Sequence, residues 1–231
     1  MGGRSLGLKA RKVSTRATNI KIFEIGDILD HFHENICAIK AQFDIAEDLI
    51  KAGKTDEAKD IWRSQLVFLD SVFDYFIHEI VQLGILNIYH GDWREKTEKY
   101  EHLSFSMADV EEALKNPDDD EWLKLWVQNH YASDALMSFQ AFKDVCNLLD
   151  LDYRAIADSA FYDRESTEKT VSQLKAAIDS LFFRRNKIAH EADRQKDTAE
   201  RRDISREDVE NFLDNIEKIV NAVKTEIEKK A

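Results

Sequence analysis

The stretch Val171–Glu191, VSQLKAAIDSLFFRRNKIAHE, carries apolar side chains at Val171, Leu174, Ile178, Leu181 and Ile188, an unbroken three-four spacing that predicts a helix. Arg185 falls on the same seam, where its apolar neighbours predict another apolar residue. A guanidinium there needs a partner. A second flank, roughly 130–150° around the helix at about 100° per residue, carries Asp179, Phe183, Asn186 and His190. Asn186 and His190 stand one turn apart, so the helix presents two working faces. The stretch closes with Arg-Asn-x-x-x-His, a phosphate-binding cation and a titratable imidazole within about one and a half turns. A plainer account of the same residues is a helix end whose Arg and His cap carbonyls and meet the dipole.

Working outward, composition agrees with a helical chain. There are 7 Gly and 1 Pro in 231 residues, too few of the punctuators that hairpins and open loops require, and an all-α fold is expected. The first helix is predicted over 22–52, stopped by Gly53 in left-handed geometry, and Thr55 with Asp56 and Glu57 starts the second, over 56–88. That second helix is apolar nearly all round, at Leu66, Leu69, Phe73, Phe76, Ile80 and Leu83 and also at Val67, Phe68, Val72, Ile77 and Val81, so it is expected at the centre. Short surface helices follow over 92–101 and from Ser106, which forms a capping box with Asp109, to Asn116-Pro117. Asp118, Asp119 and Asp120 open a helix reaching about Asp150, kinked or broken near Ala132-Ser133. Next come a short helix over 153–161, the motif helix over 167–190 capped by Ser166, a loop over 193–203, and a last helix over 206–229 capped by Ser205 with Asp208. The expected organisation is a basic N-terminal arm, 1–21, and a single all-helical domain, 22–231, with peripheral short helices.

The central helix holds a second constellation. Asp70, Asp74 and His78 stand at i, i+4 and i+8, one polar stripe on an otherwise apolar segment. Stranding one partner of a buried ion pair costs on the order of 3–5 kcal/mol, so these groups want a cation, and Arg185 is the obvious one. Asp74 or Asp70 would fix the guanidinium, with His78 bonded into the same cluster. The alternative is a stripe that faces water or closes an ion pair with no part in chemistry.

The net charge of -12 argues against a broad nucleic-acid-binding surface, because nonspecific affinity comes from phosphate neutralisation. Charge is uneven, however: residues 1–21 carry Arg4, Lys9, Arg11, Lys12, Arg16 and Lys21 with no acid. That arm either guides RNA or only aids solubility. No apolar run of about 18 residues and no cleavable leader is present, so a cytoplasmic protein without membrane contact is expected. Cys37 and Cys146 lack metal-ligand spacing and read as ordinary buried thiols. His31 and His33 point to different sides of a helix, and His78-Glu79 lacks the spacing of a helical zinc protease. No phosphate-loop, dinucleotide or nucleophile-elbow motif occurs, so neither metal nor cofactor is expected. Trp62, Trp93, Trp122 and Trp126 suit a core or interface better than a base-stacking platform.

Arg185, Asn186 and His190, as they stand, closely resemble the signature of the HEPN superfamily (higher eukaryotes and prokaryotes nucleotide-binding domain). The phenylalanine-rich run before Arg184, Glu191-Ala192-Asp193 after His190, and Leu69–Val81 look most like its RiboL-PSP-HEPN branch. The resemblance implies a HEPN-like helical bundle that dimerises so that two Arg-His motifs face one cleft and cut RNA without a metal. Under that implication Arg185, Asn186 and His190 are catalytic, and Asp74, His78, Asp70, Arg184 and Glu191 support them. Lys187, with Arg11 and Lys12 of the arm, would bind RNA. The chemistry is transesterification: an imidazole takes the 2′-hydroxyl proton or protonates the departing 5′-oxygen while Arg neutralises the phosphate, leaving a 2′,3′-cyclic phosphate and DNA uncut. What such families usually do suggests a toxin or antiphage defence role, with an antitoxin or effector as a candidate partner. The competing readings are a noncatalytic HEPN-like dimerisation module partnering another effector, and a helper that grips a mononucleotide phosphate.

Overall fold

The computed structural model describes residues 20–132 and 134–230, and most of the basic arm, Arg11 and Lys12 included, lies outside the described residues. Among the described residues there are nine helices and no strand. α1 (Ile25–Lys51) and α2 (Thr55–His90) are joined by a turn at Gly53, φ +76°, and pack along each other. The apolar runs of α2 explain its place. Leu66, Leu69, Phe73, Phe76, Ile77, Ile80 and Val81 are all buried, and one apolar core runs from α1 through α2 to the C-terminal helix. Gln65, a polar group within that core, donates its Nε2 to the Ile39 carbonyl at 2.8 Å. A Cβ on Gly84 of α2 would fall 2.6 Å from a Leu149 methyl, so any side chain there forces Leu149 to shift.

α3 (Glu98–Glu101) is shorter than the helix expected over 92–101, because Thr97 caps it by accepting from Tyr100 N. α4 (Met107–Lys115) begins at the capping box of Ser106 and Asp109. The helix expected over 118–150 is two helices, α5 (Glu121–Tyr131) and α6 (Phe139–Leu148). Of the expected break, Ser133 itself lies outside the described residues. Ser138 fixes the new start by accepting from Ala141 N. α7 (Tyr153–Phe161) is followed by α8 (Thr170–Glu191), the motif helix. Ser166 does not cap α8; its hydroxyl accepts from Glu168 N in the preceding turn, and Lys169 holds the cap position without a side-chain bond. α9 (Arg206–Glu228) starts at the Ser205–Asp208 capping box.

Among the described residues no helix is long and apolar enough to cross a membrane. Trp62, Trp93 and Trp126 are buried and Trp122 packs on the core. Cys146 is buried, which pushes its thiol up, but Cys37 is exposed, a correction to the expectation of two buried thiols: it sits on the outer side of α1, away from the Ile36 and Ile39 seam.

Candidate active site

Leu174, Ile178 and Leu181 are fully buried, and the seam they define carries Arg185 onto α2. There Arg185 Nε donates to Asp70 Oδ2 at 2.7 Å, and its Nη1 donates to Asn186 Oδ1 at 2.9 Å. Asp70 is 0% exposed, whereas the Arg185 side chain keeps 26% of its surface. The cation is thus held from below and open above. Asp70 Oδ1 has no partner among the described residues, and burial outweighs the attraction of Arg185, pushing the carboxyl up to about 6.

That raised value gives a testable sign. Between the ordinary carboxylate range and about 6 the folded protein binds a proton that the unfolded chain does not, so this contribution to stability is full at low pH and lost as pH rises through 6. Unfolding free energies from urea titrations between pH 4 and 6.5 should therefore fall for the wild type relative to Asp70→Asn, by on the order of 2–3 kcal/mol. A wild type that gains on Asp70→Asn as pH rises would show that Arg185 dominates.

Asp74, the other expected partner of Arg185, is not one. An advance of four residues rises about 6 Å and turns about 40°, and it carries Asp74 past the guanidinium. Its Oδ1 instead accepts from Leu136 N at 2.8 Å, and Oδ2 stands 3.6 Å from His78 Nε2. His78, expected in the Arg185 cluster, reaches the Asp134 carbonyl at 3.2 Å, and its bond to Asp74 raises the imidazole's pKa. On α8, Asp179 Oδ1 accepts from Phe139 N at 2.9 Å. Asp74, His78 and Asp179 therefore brace the segment between α5 and α6.

Asn186 touches Arg185, and among the described residues no hydrogen bond joins it to His190, one turn on. His190 is exposed at the end of α8, about 140° around the helix from Arg185 at about 100° per residue. Phe183, on the His190 flank, is 60% exposed, while Phe182 packs against the core. Lys187 bonds Glu191 at 2.9 Å one turn on, which lowers the Glu191 carboxyl, so this cation and this acid neutralise each other locally.

Arg184 has a different task. Its Nη1 and Nη2 donate to the two oxygens of Asp193 at 2.5 and 3.0 Å, and Arg63 Nε of α2 donates to Asp193 Oδ2 at 2.8 Å. Asp193 is 0% exposed, has φ +57°, and donates its N–H to the Lys187 carbonyl at 2.8 Å. This carboxylate, shared by two arginines, anchors the end of α8 that bears His190. Sequence reasoning missed Arg63 and the role of Asp193. The signal was there, since Arg63 lies seven residues before Asp70, on the same face of a helix that is otherwise buried.

The acidic side chains Asp119, Asp120 and Glu121 bring their oxygens together, but Asp120 pairs with Lys124 at 2.7 Å and His90 at 3.1 Å, and Glu121 pairs with Lys124 at 2.9 Å. Asp120 and Glu121 thus share the one Lys124 at the head of α5, and the cluster keeps a net negative charge.

The RiboL-PSP-HEPN family model matches residues 37–229, from within α1 into the end of α9. The chain belongs to the RiboL-PSP-HEPN family. No curated protein and no solved structure matches it. The all-α architecture is that of a HEPN bundle, and HEPN domains are often endoribonucleases, often act as dimers and often bind RNA. In this RiboL-PSP-HEPN chain the matched span includes every residue of the Arg185–His190 motif, its Asp70 support and the Asp193 clamp.

Proposed function

We propose that this RiboL-PSP-HEPN protein is a metal-independent endoribonuclease that works as a homodimer. The observation that carries the reading is Arg185, fixed by buried Asp70 yet a quarter exposed, on the same helix end as exposed His190. RNA supplies its own nucleophile. One His190 takes the proton of a 2′-hydroxyl, whose oxygen attacks phosphorus. The bond to the 5′-oxygen breaks, and a second His190, from the partner copy, returns a proton to that oxygen. Arg185 offsets the charge that builds on the phosphoryl oxygens, and because its Nε and Nη1 are already bonded it meets the phosphate with little reorganisation. Asn186 acts by orienting Arg185. The products end in a 2′,3′-cyclic phosphate and a 5′-hydroxyl.

A two-fold arrangement answers the geometry of one copy. Arg185 turns inward and His190 outward, so a symmetric partner supplies the second imidazole that acid and base catalysis needs. Phe183, Phe68 and Tyr75, with 60%, 38% and 48% of their surfaces exposed on α8 and α2, are apolar area suited to such contact. Light scattering after gel filtration should give about twice the 26.8 kDa chain mass at micromolar concentration. A monomer there removes the two-histidine mechanism.

Purified protein incubated with mixed single-stranded RNA, with and without EDTA, tests the whole reading. Cleavage undiminished by EDTA, cyclic phosphate termini and untouched DNA are expected. RNA left intact under every condition would instead favour a noncatalytic dimerisation module, which the net charge of -12 suits. A role as a toxin or antiphage defence effector, held in check by an antitoxin, is consistent with a nuclease of this design.

A further inference from the structure

α4 wears its apolar stripe on the outside. Met107, Val110 and Leu114 repeat at three- and four-residue spacing with 72%, 38% and 75% of their surfaces exposed, and no residue of α4 is buried. A surface helix ordinarily turns that stripe toward the core. The apolar surface extends to Phe105, whose ring packs on Trp122 at 5.5 Å, and Trp122 in turn meets exposed Tyr89 at 6.0 Å. Contiguous apolar surface of this kind marks an interaction site.

Charge indicates what the site takes. From Phe105 to Leu125 the chain carries seven acids, Asp109, Glu111, Glu112, Asp118, Asp119, Asp120 and Glu121, against Lys115 and Lys124, a net of -5. RNA is repelled by such a rim, and a basic segment with apolar residues in it is attracted. Residues 1–19 are such a segment: Arg4, Lys9, Arg11, Lys12 and Arg16, no acid, and Leu6, Leu8 and Val13 among them. The chain also enters the described fold beside the head of α5, because Ile20, Lys21, Ile22 and Glu24 border a hollow with His90, Asp120 and Lys124. Residues 1–19 span up to roughly 60 Å when extended, more than the roughly 45 Å width expected of a globule this size, so α4 is within reach.

We propose that the α4–α5 face is the docking site for this chain's own segment 1–19. Its bases meet the rim carboxylates, and its apolar residues cover Met107, Val110 and Leu114. The inference stands on α4 and on the charge pattern, apart from the nuclease reading. It has one consequence for RNA: the acidic face and a phosphate backbone compete for the same arginines and lysines.

Limited trypsin digestion of the full chain tests it, with cleavage after Arg11, Lys12 and Arg16 followed by mass. Met107→Asp with Leu114→Asp alters only largely exposed side chains and should speed cleavage at those three sites at least about 10-fold, since proteolysis follows the undocked population. Glu111→Lys with Asp118→Lys should do the same without touching an apolar residue. Zero-length carbodiimide coupling should join Lys9 or Lys12 to Glu111, Asp118 or Asp119 in the wild type. In a mixture of isotopically labelled and unlabelled protein those links should stay within one label. Equal cleavage rates in the wild type and both double variants overturn the proposal, and so do cross-links that join the two labels, which would assign the face to the arm of a second copy.

Discussion

His190→Ala is expected to remove at least about 10²-fold of the RNA cleavage rate, the usual worth of a general acid or base. Arg185→Ala should lose as much through the phosphate charge, but that variant also leaves Asp70 buried without a cation. Arg185→Lys is the better companion, because it keeps a charge near Asp70 while losing the planar donor pair that engages Asp70 and Asn186 together. Mixing His190→Ala with Arg185→Lys gives heterodimers with one intact His190 and one intact Arg185. Partial recovery of activity would place the two residues in one shared cleft, and none would favour separate sites. Equal cleavage by wild type and His190→Ala, with cleavage assigned to the purified protein, would sink the enzyme reading.

Asp193→Ala should be strongly destabilising. It strands Arg184, whose side chain is only 17% exposed, leaves Arg63, 6% exposed, with Asp60 as its one carboxylate, and frees the end of α8. Breaking a buried pair in this way costs about 3–5 kcal/mol. Asp193→Asn keeps one acceptor and should lose less. Urea unfolding of both variants decides it: a loss below about 1 kcal/mol for Asp193→Ala would mean that the arginines find other partners, such as the Arg202 and Asp203 carbonyls they already meet.

Much of this arrangement was legible because it depends on local rules. The three-four spacing of Val171 to Ile188 places the motif helix, Gly53 ends α1, and the Ser106–Asp109 and Ser205–Asp208 boxes start their helices, all from contacts within a few residues. Ser166 shows the limit of that logic, since a hydroxyl in a turn can satisfy a nearer donor than the helix behind it. The need of Arg185 for a carboxylate was also legible, but not its choice. Asp70 and Asp74 lie on one stripe, and only the axial offset between α2 and α8 selects Asp70; that offset is set by packing across more than a hundred residues of chain. Asp193 was hidden for the same reason, as its two arginines come from 9 and 130 positions away.

α2 acts as a ruler for the site. Its contacts with α8 step in opposite directions along the two helices, Arg63 to Asp193 and then Asp70 to Arg185, while Asp74 reaches Leu136 beyond them. At about 1.5 Å and 100° per residue, a single residue inserted between Arg63 and Asp70 would swing one anchor about a quarter-turn from the other. The end of α8 that bears Arg185 and His190 could then keep its clamp or its guanidinium support, but not both. Substitutions along this part of α2 can be absorbed one contact at a time, whereas a change in its length cannot, so its residue count is itself part of how the Arg185 and Asp193 anchors are held together.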